Sequence, residues 1–523
     1  MSNKGKSKKK NDRQKIVLIV ILAILIIALI GALVFLILKD RKDKKDAQTG
    51  GNAPSVSEQP STEEESTTAP NVDYEGILKE AEITAAMYDY EGAITYVKEK
   101  LPEWNTVEAV NTFIAQCEDN KSKLVKWADN TKITHIFFHT LIQDCSVAFG
   151  SNSKDNYNQV MTTIEEFNAI LQQMYDRGYV LVKLSDIASI NPATGKMEYN
   201  PIYLPAGKTP FVLSQDDVCY YEYMNEDGGF AQRLIVDANG KIMNEKDNAD
   251  GTKTVGAFDV APLLDQFVEQ HPDFSYHGAK GILALTGYNG ILGYRTSYIG
   301  YGTEADLKSV WDELFNAGGY NSDTAVSLAK GAHYYDNPNL EEDRKKAKQV
   351  ADALKAGGWE FASHTWGHMN MGGSVDSSSG RIKNDRFKRD STWWDVEVGS
   401  IVGDTNIIIF AFGADIFNWK QYTDSNDAYM YLKSMGFDYF CNVDSSQYFV
   451  QMNESAGGDG YLRQGRRNLD GQLMFKALMY PEQHLLDDII DVKTVFDKVR
   501  PLPVVGVEVP DWFDGTNLIK PGN

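Results

Sequence analysis

The chain has 523 residues, is 42% hydrophobic and 24% charged, and carries a formal net charge of −21. That length and apolar content exclude a short peptide and a wholly disordered polymer, and leave room for roughly two or three folded units. Residues 1–45 hold twelve Lys and Arg against three Asp, a balance of +9 that leaves the remainder at −30, which excludes nucleic acid and other polyanions as partners of the body.

Residues 1–15 read as a basic cytoplasmic tail. From Ile16 to Leu38 the run IVLIVILAILIIALIGALVFLIL carries no charge. As a helix it would be about 34 Å long, enough to cross a bilayer core of about 30 Å, and it predicts a transmembrane helix. A cleaved signal peptide would show a shorter apolar region and a small-residue cleavage site; here Lys39, Asp40 and Arg41 follow instead. Seven basic residues precede the span and five follow it, so the positive-inside rule places the N-terminus in the cytoplasm and the body outside the cell membrane. Residues 39–72 read as a flexible linker, because AQTGGNAPSVSEQPSTEEESTTAPN contains no Leu, Ile, Phe, Tyr or Trp to form a core. In residues 73–130 apolar positions recur at helical spacing, in YEGILKEAEITAAMYDYEGAITYVKEKL and again in VEAVNTFIAQCEDNKSKLVKW. They predict a small all-helical spacer, in which 81–98 resembles a single tetratricopeptide-type hairpin.

From 131 to 505 short apolar runs alternate with amphipathic segments. Strands are predicted at Ile133–Phe138, Val180–Leu184, Phe211–Leu213, Ile282–Leu285, Trp359–Ser363, Ile407–Phe412 and Asp438–Val443, with helices at Thr163–Arg177, Arg344–Lys355 and Ala428–Met435. Strand–helix alternation implies α/β architecture, and polar clusters just after strands suit a closed or nearly closed (β/α) barrel, whose sites lie there. Tyr220–Phe258 and Ser297–Asn339 are polar and read as insertions beside the site, YLRQGRRNLDG as a late loop, and 506–523 as a C-terminal tail. Cys117, Cys145, Cys219 and Cys441 lack metal-ligand spacing and read as free thiols.

Two clusters carry chemistry. Ser214-Gln215-Asp216-Asp217 closes one predicted strand, and a strand-to-loop turn there would let both carboxylates reach one cavity. Ser363-His364-Thr365-Trp366-Gly367-His368 follows another, and a helical turn would bring both imidazoles to one face. Two imidazoles and one carboxylate leave coordination positions open, as catalytic zinc sites do, although ferrous oxygenases use the same ligand types. The spare carboxylate beside the ligands favours hydrolysis, in which a base works next to an ion that acidifies water.

KTPFVLSQDD, followed by VADALKAGGWEFASHTWGH, resembles the NodB-homology polysaccharide deacetylases of carbohydrate esterase family four, and ITHIFFHTLI with MTTIEEFNAILQQMYDRGYVLVKLSDIA resembles that family's opening strand, helix and second strand. The resemblance runs from about Ile133 to Pro503. It implies an irregular (β/α) barrel of the polysaccharide deacetylase type, Asp216 as general base, and Asp217, His364 and His368 as ligands of a divalent ion, usually zinc. The reaction implied is removal of N-acetyl or O-acetyl groups from an acetylated polysaccharide such as peptidoglycan. Departures are specific: Gln215 replaces an aromatic residue and Val218 a glycine, the third motif survives only as Ile409-Phe410-Ala411-Phe412-Gly413 without its arginine, and the final Leu-x-His is not found. Arg466, Arg467 and Asp470 could fill these gaps from the late loop, with Arg467 contacting substrate, and Trp393-Trp394 is the best candidate for a groove wall. Two other readings share the same residues: amide or imide hydrolysis on a small molecule, and glycan binding without catalysis.

Overall fold

The computed structural model describes residues 73–248, 250–316, 323–444, 448–455 and 457–520. The basic tail, the apolar span at 16–38 and the linker lie outside the described residues; among these, no helix is long and apolar enough to cross a membrane. Helices Tyr74–Ala86, Tyr90–Lys100 and Glu108–Ser122 open the described chain. Asp73 and Asp89 cap the first two by accepting the Gly76 and Gly92 amides at 2.9 and 2.8 Å. Ala81, Ala85 and Ala93 let the helices approach, and Val97, Val110, Phe113 and Ile114 fill the seam. The helices are tied to the body by the Tyr88 hydroxyl, which donates to the Asp273 carbonyl at 2.7 Å.

Seven parallel strands close the barrel: β1 (Thr134–Phe138), β2 (Thr209–Gln215), β3 (Ile282–Leu285), β4 (Glu360–Ser363), β5 (Ile407–Ile409), β6 (Tyr439–Val443) and β7 (Tyr461–Asn468). Each pairs with the next, and β7 returns to β1 through Arg467–Ile136 and Asn468–Phe137. The barrel is irregular along one edge of β2. The short strand Tyr179–Leu181 pairs with its first half and β3 takes over at Ser214–Gln215.

Strand alternation sorts the side chains. Val212, Ile282, Ala284, Ala362, Ile407, Ile409, Tyr439, Cys441 and Leu462 pack in the interior, which the hairpin Ala188–Asn191/Lys196–Tyr199 plugs from below with Ala188 and Met197. Phe211, Leu213, Leu283, Leu285 and Phe361 face outward onto helices such as Ile164–Asp176 and Leu340–Ala356. The two polar insertions have structure of their own. The first holds a three-stranded antiparallel sheet (Arg233–Val236, Ile242–Asp247, Lys253–Gly256), and the second the helices Tyr298–Tyr301, Glu304–Ser309 and Asp323–Gly331. All four cysteines are free. The predicted late loop is the largest departure: 461–468 is β7, buried along seven of its eight residues.

Candidate metal and acid–base site

Asp216 and Asp217 leave the C-terminal end of β2. The Asp216 amide donates to the Phe138 carbonyl of β1 at 2.8 Å, which still belongs to the sheet edge. Asp217 then turns into the left-handed region at φ 58°. That turn points both neighbouring carboxylates at one cavity, and left-handed non-glycine backbone recurs around it at Tyr220, Thr365, His368 and Phe412.

Asp216 is 3% exposed, and its carboxylate is gripped by Arg466 of β7, with Nη1 on Oδ1 at 2.6 Å and Nη2 on Oδ2 at 2.9 Å. Arg466 is itself fully buried, its guanidinium 4.2 Å from the Phe137 ring centre. Burial by itself would raise the Asp216 pKa, yet the guanidinium fork and the nearby His364 hold the carboxyl well below the usual carboxylate range. Asp217 is likewise held down against burial by His368, His364, His139 and the Tyr221 hydroxyl, which donates to Oδ1 at 2.6 Å.

His364 presents Nδ1 to the Ile409 carbonyl at 2.8 Å. A carbonyl only accepts, so Nδ1 carries the proton and Nε2 keeps a free lone pair. Burial lowers the His364 pKa, with Asp216 and Asp217 opposing, and favours the neutral ring that a metal needs. His364 Nε2 stands 4.0 Å from Asp217 Oδ1, and His368 Nε2 stands 3.7 Å from Asp217 Oδ2. One ligand atom from each of the three residues lies within 4.8 Å of the others. These gaps are too long for hydrogen bonds, and near the spacing of about 3.4 Å between two ligands of a tetrahedral ion. The donor set thus fits a divalent ion with open positions.

The segment joining the histidines is a turn rather than the expected piece of helix, with Thr365 at φ 66° and His368 at φ 47°. It is pinned from helix Arg386–Trp394. There Asp390 accepts the Trp366 and Gly367 amides at 2.7 and 3.0 Å. Just beyond it, the buried Glu397 accepts the Trp366 indole N–H.

No family model, curated protein or solved structure matches the chain.

His139 went unnoticed in the sequence, and Phe412 was noted only as part of the altered third motif. His139, one residue past β1, has Nδ1 3.1 Å from the Val160 carbonyl, which directs Nε2 to a point 4.0 Å from Asp217 Oδ2. Its only sequence signal is the one that marked the other histidines, a polar residue directly after an apolar strand. Phe412 lies 4.4 Å from the His368 ring, centre to centre, and is 69% exposed, an unusual position for a large apolar ring.

The three side chains expected to contact substrate are buried. Trp393 and Trp394 are core residues, 4% and 3% exposed, whose indole N–H groups donate to the Leu314 and Leu285 carbonyls. Arg467 faces away from the barrel interior, because it follows Arg466 on a strand, and forms a fork with Asp488 at 2.7 and 2.9 Å. Gln215 faces outward as well, donating to both oxygens of Asp259. That contact accounts for an amide where the resembled motif has an aromatic ring. Asp470 caps helix Gly471–Met479 through the Leu473 amide at 2.8 Å.

Proposed function

We propose that the chain is a membrane-anchored, extracytoplasmic, metal-dependent deacetylase of an acetylated polysaccharide, with a barrel of the polysaccharide deacetylase type. The observation that carries this reading is a buried carboxylate, Asp216, held ionised by Arg466 and standing 4.0 Å from the free nitrogen of a candidate metal ligand. Asp217, His364 and His368 would hold the ion, and zinc suits two imidazoles and one carboxylate. When bound, a divalent ion supplies Lewis acidity, polarising a carbonyl and acidifying water.

The chain's own groups do the rest. Asp216 takes the proton of the attacking water, and Arg466 keeps its carboxylate ionised and oriented. As the acetyl C–N bond breaks, His139, whose Nε2 faces the site, would deliver a proton to the departing amine. It fills the place of the acid that the sequence motifs lacked. Tyr221 fixes Asp217, and Asp390 fixes the turn that carries the histidines. The span at 16–38 and the linker at 39–72 would hold this site just outside the cell membrane. The acidic body suits a neutral or cationic polymer and gives no footing to nucleic acid.

The test combines metal analysis of the purified protein with acetate release from peptidoglycan and chitin fragments. Bound metal, acetate release and loss of that release in chelator are expected. Stoichiometric metal with no acetate from any acetylated glycan would point to a non-catalytic glycan-binding protein instead.

A further inference from the structure

The upper interior of the barrel, below Asp216, is polar. His135 of β1 is 1% exposed and sits between Gln464 of β7 and Ser214 of β2. Gln464 donates its amide N–H to the Ile133 carbonyl at 2.9 Å, which leaves its carbonyl oxygen facing His135 Nδ1 at 3.1 Å. That oxygen can only accept, so Nδ1 carries the ring proton. Burial first, and the Arg466 charge second, push the His135 pKa well below the ordinary histidine range, so the ring is neutral and Nε2 is a bare lone pair.

At 2.9 Å this lone pair takes the Ser214 hydroxyl proton. Ser214 Oγ then turns its own lone pairs to Arg466 Nη1 at 3.1 Å, the same nitrogen that binds Asp216 Oδ1. The opposite tautomer would set two acceptors against each other at Gln464 and leave the Ser214 proton free to point at a cation. Arg466 depends on this support. Among the described residues its Nε has no hydrogen-bond partner, and apart from the Asp216 fork and the Phe137 ring its guanidinium rests on Ser214 alone.

We infer that His135 is a positioning residue: through one fixed ring tautomer it orients Ser214, which orients Arg466, which aims the Asp216 carboxylate. The inference rests on the reading of Asp216 as the base. It predicts a kcat-specific defect in a residue that touches neither substrate nor metal.

His135→Phe keeps a ring but removes both nitrogens, and Ser214→Ala removes the next link. Each is expected to lower kcat by about 10- to 100-fold, as loss of outer-shell support does, with KM and metal stoichiometry held. The double variant should be no worse than the poorer single variant, because both cut one chain. His135→Gln places an amide oxygen near the Nε2 position and should recover most of the loss, and it serves as the test if the phenylalanine variant does not fold. Nitrogen NMR of the imidazole provides a readout independent of turnover, and should report Nδ1 protonated and Nε2 unprotonated in the full protein. Wild-type kcat in His135→Phe, additive losses in the double variant, or a protonated Nε2 would each overturn the inference. An inactive wild-type protein that still shows the predicted tautomer would overturn the deacetylase reading and leave the hydrogen-bond chain standing.

Discussion

Replacing Arg466 by Met tests the centre of the site, because the substitution keeps volume while deleting the charge that faces Asp216. Both partners are buried, the arginine side chain fully and the aspartate side chain at 4% exposure. Stranding one member of such a pair costs about 3–5 kcal/mol, against a typical total stability of about 5–15 kcal/mol. With the guanidinium gone, burial dominates and raises the Asp216 pKa, so the carboxyl keeps its proton to higher pH than in the wild type. In the wild type the depressed pKa adds stability that is present above the unfolded carboxylate pKa and lost only as pH falls through the folded value. In Arg466→Met the sign reverses, and stability falls as pH rises through the raised folded pKa. Urea unfolding in chelator at pH 5 and pH 8 reads this directly: the variant should be more stable at pH 5, the wild type no less stable at pH 8. Asp216→Asn should cost a similar amount, since it strands the arginine. The double variant should lose at least about 2 kcal/mol less than the sum of the two singles, as coupled buried pairs do. Additive losses, or a single-variant cost under about 1 kcal/mol, would refute a tightly coupled buried pair.

His139→Ala should lower acetate release by about 100- to 10,000-fold, the range for loss of a general acid, with metal content unchanged; loss of the metal instead would make His139 a ligand. Asp390→Ala leaves the Trp366 and Gly367 amides without acceptors and should weaken metal binding by about 10- to 100-fold in a competition titration, while Asp390→Glu recovers part of it. Glu360 lies away from the metal ligands, with its pKa raised by burial to about 7, so it contributes stability that is full below the unfolded pKa and lost as pH rises through 7. Glu360→Gln should therefore stabilise the protein by up to roughly 3 kcal/mol at pH 8 and by little at pH 5, measured by urea unfolding.

The barrel was legible where strands are buried on both faces. Ile407–Ile409 and Ile282–Leu285 are short continuous apolar runs, rich in β-branched or aliphatic residues, as doubly buried strands are. The candidate metal triad was legible because His and Asp stood directly after such runs. The last strand was not, since Arg463, Gln464, Arg466 and Arg467 imitate a solvated loop. What permits their burial is distant in the chain: Arg466 finds Asp216 across a separation of 250 residues, and no local pattern announces that pair. Trp393 and Trp394 show the converse. Two adjacent tryptophans look like a surface device, yet a helix wedged between the second insertion and β3 can bury both. The insertions read only as polar segments because their sheet and helices show too little apolar periodicity to register.

The three arginines of β7 also bear on how the barrel closes. Each is buried and meets an acid from a different part of the chain: Arg463 pairs with Asp415, Arg466 with Asp216 and Arg467 with Asp488. Sliding the strand by one residue would exchange inside for outside and keep at most one charge pair, Arg467 with Asp216 or Arg466 with Asp488, leaving the other two acids without an arginine. Sliding it by two would offer Asp216 either Gln464 or Asn468, neither of which carries a charge. The closing strand therefore works like a key with three teeth, which admits one alignment and rejects its nearest neighbours. The alignment it admits is the one that brings the arginine to the candidate base, so closing the barrel and arming the site are a single event.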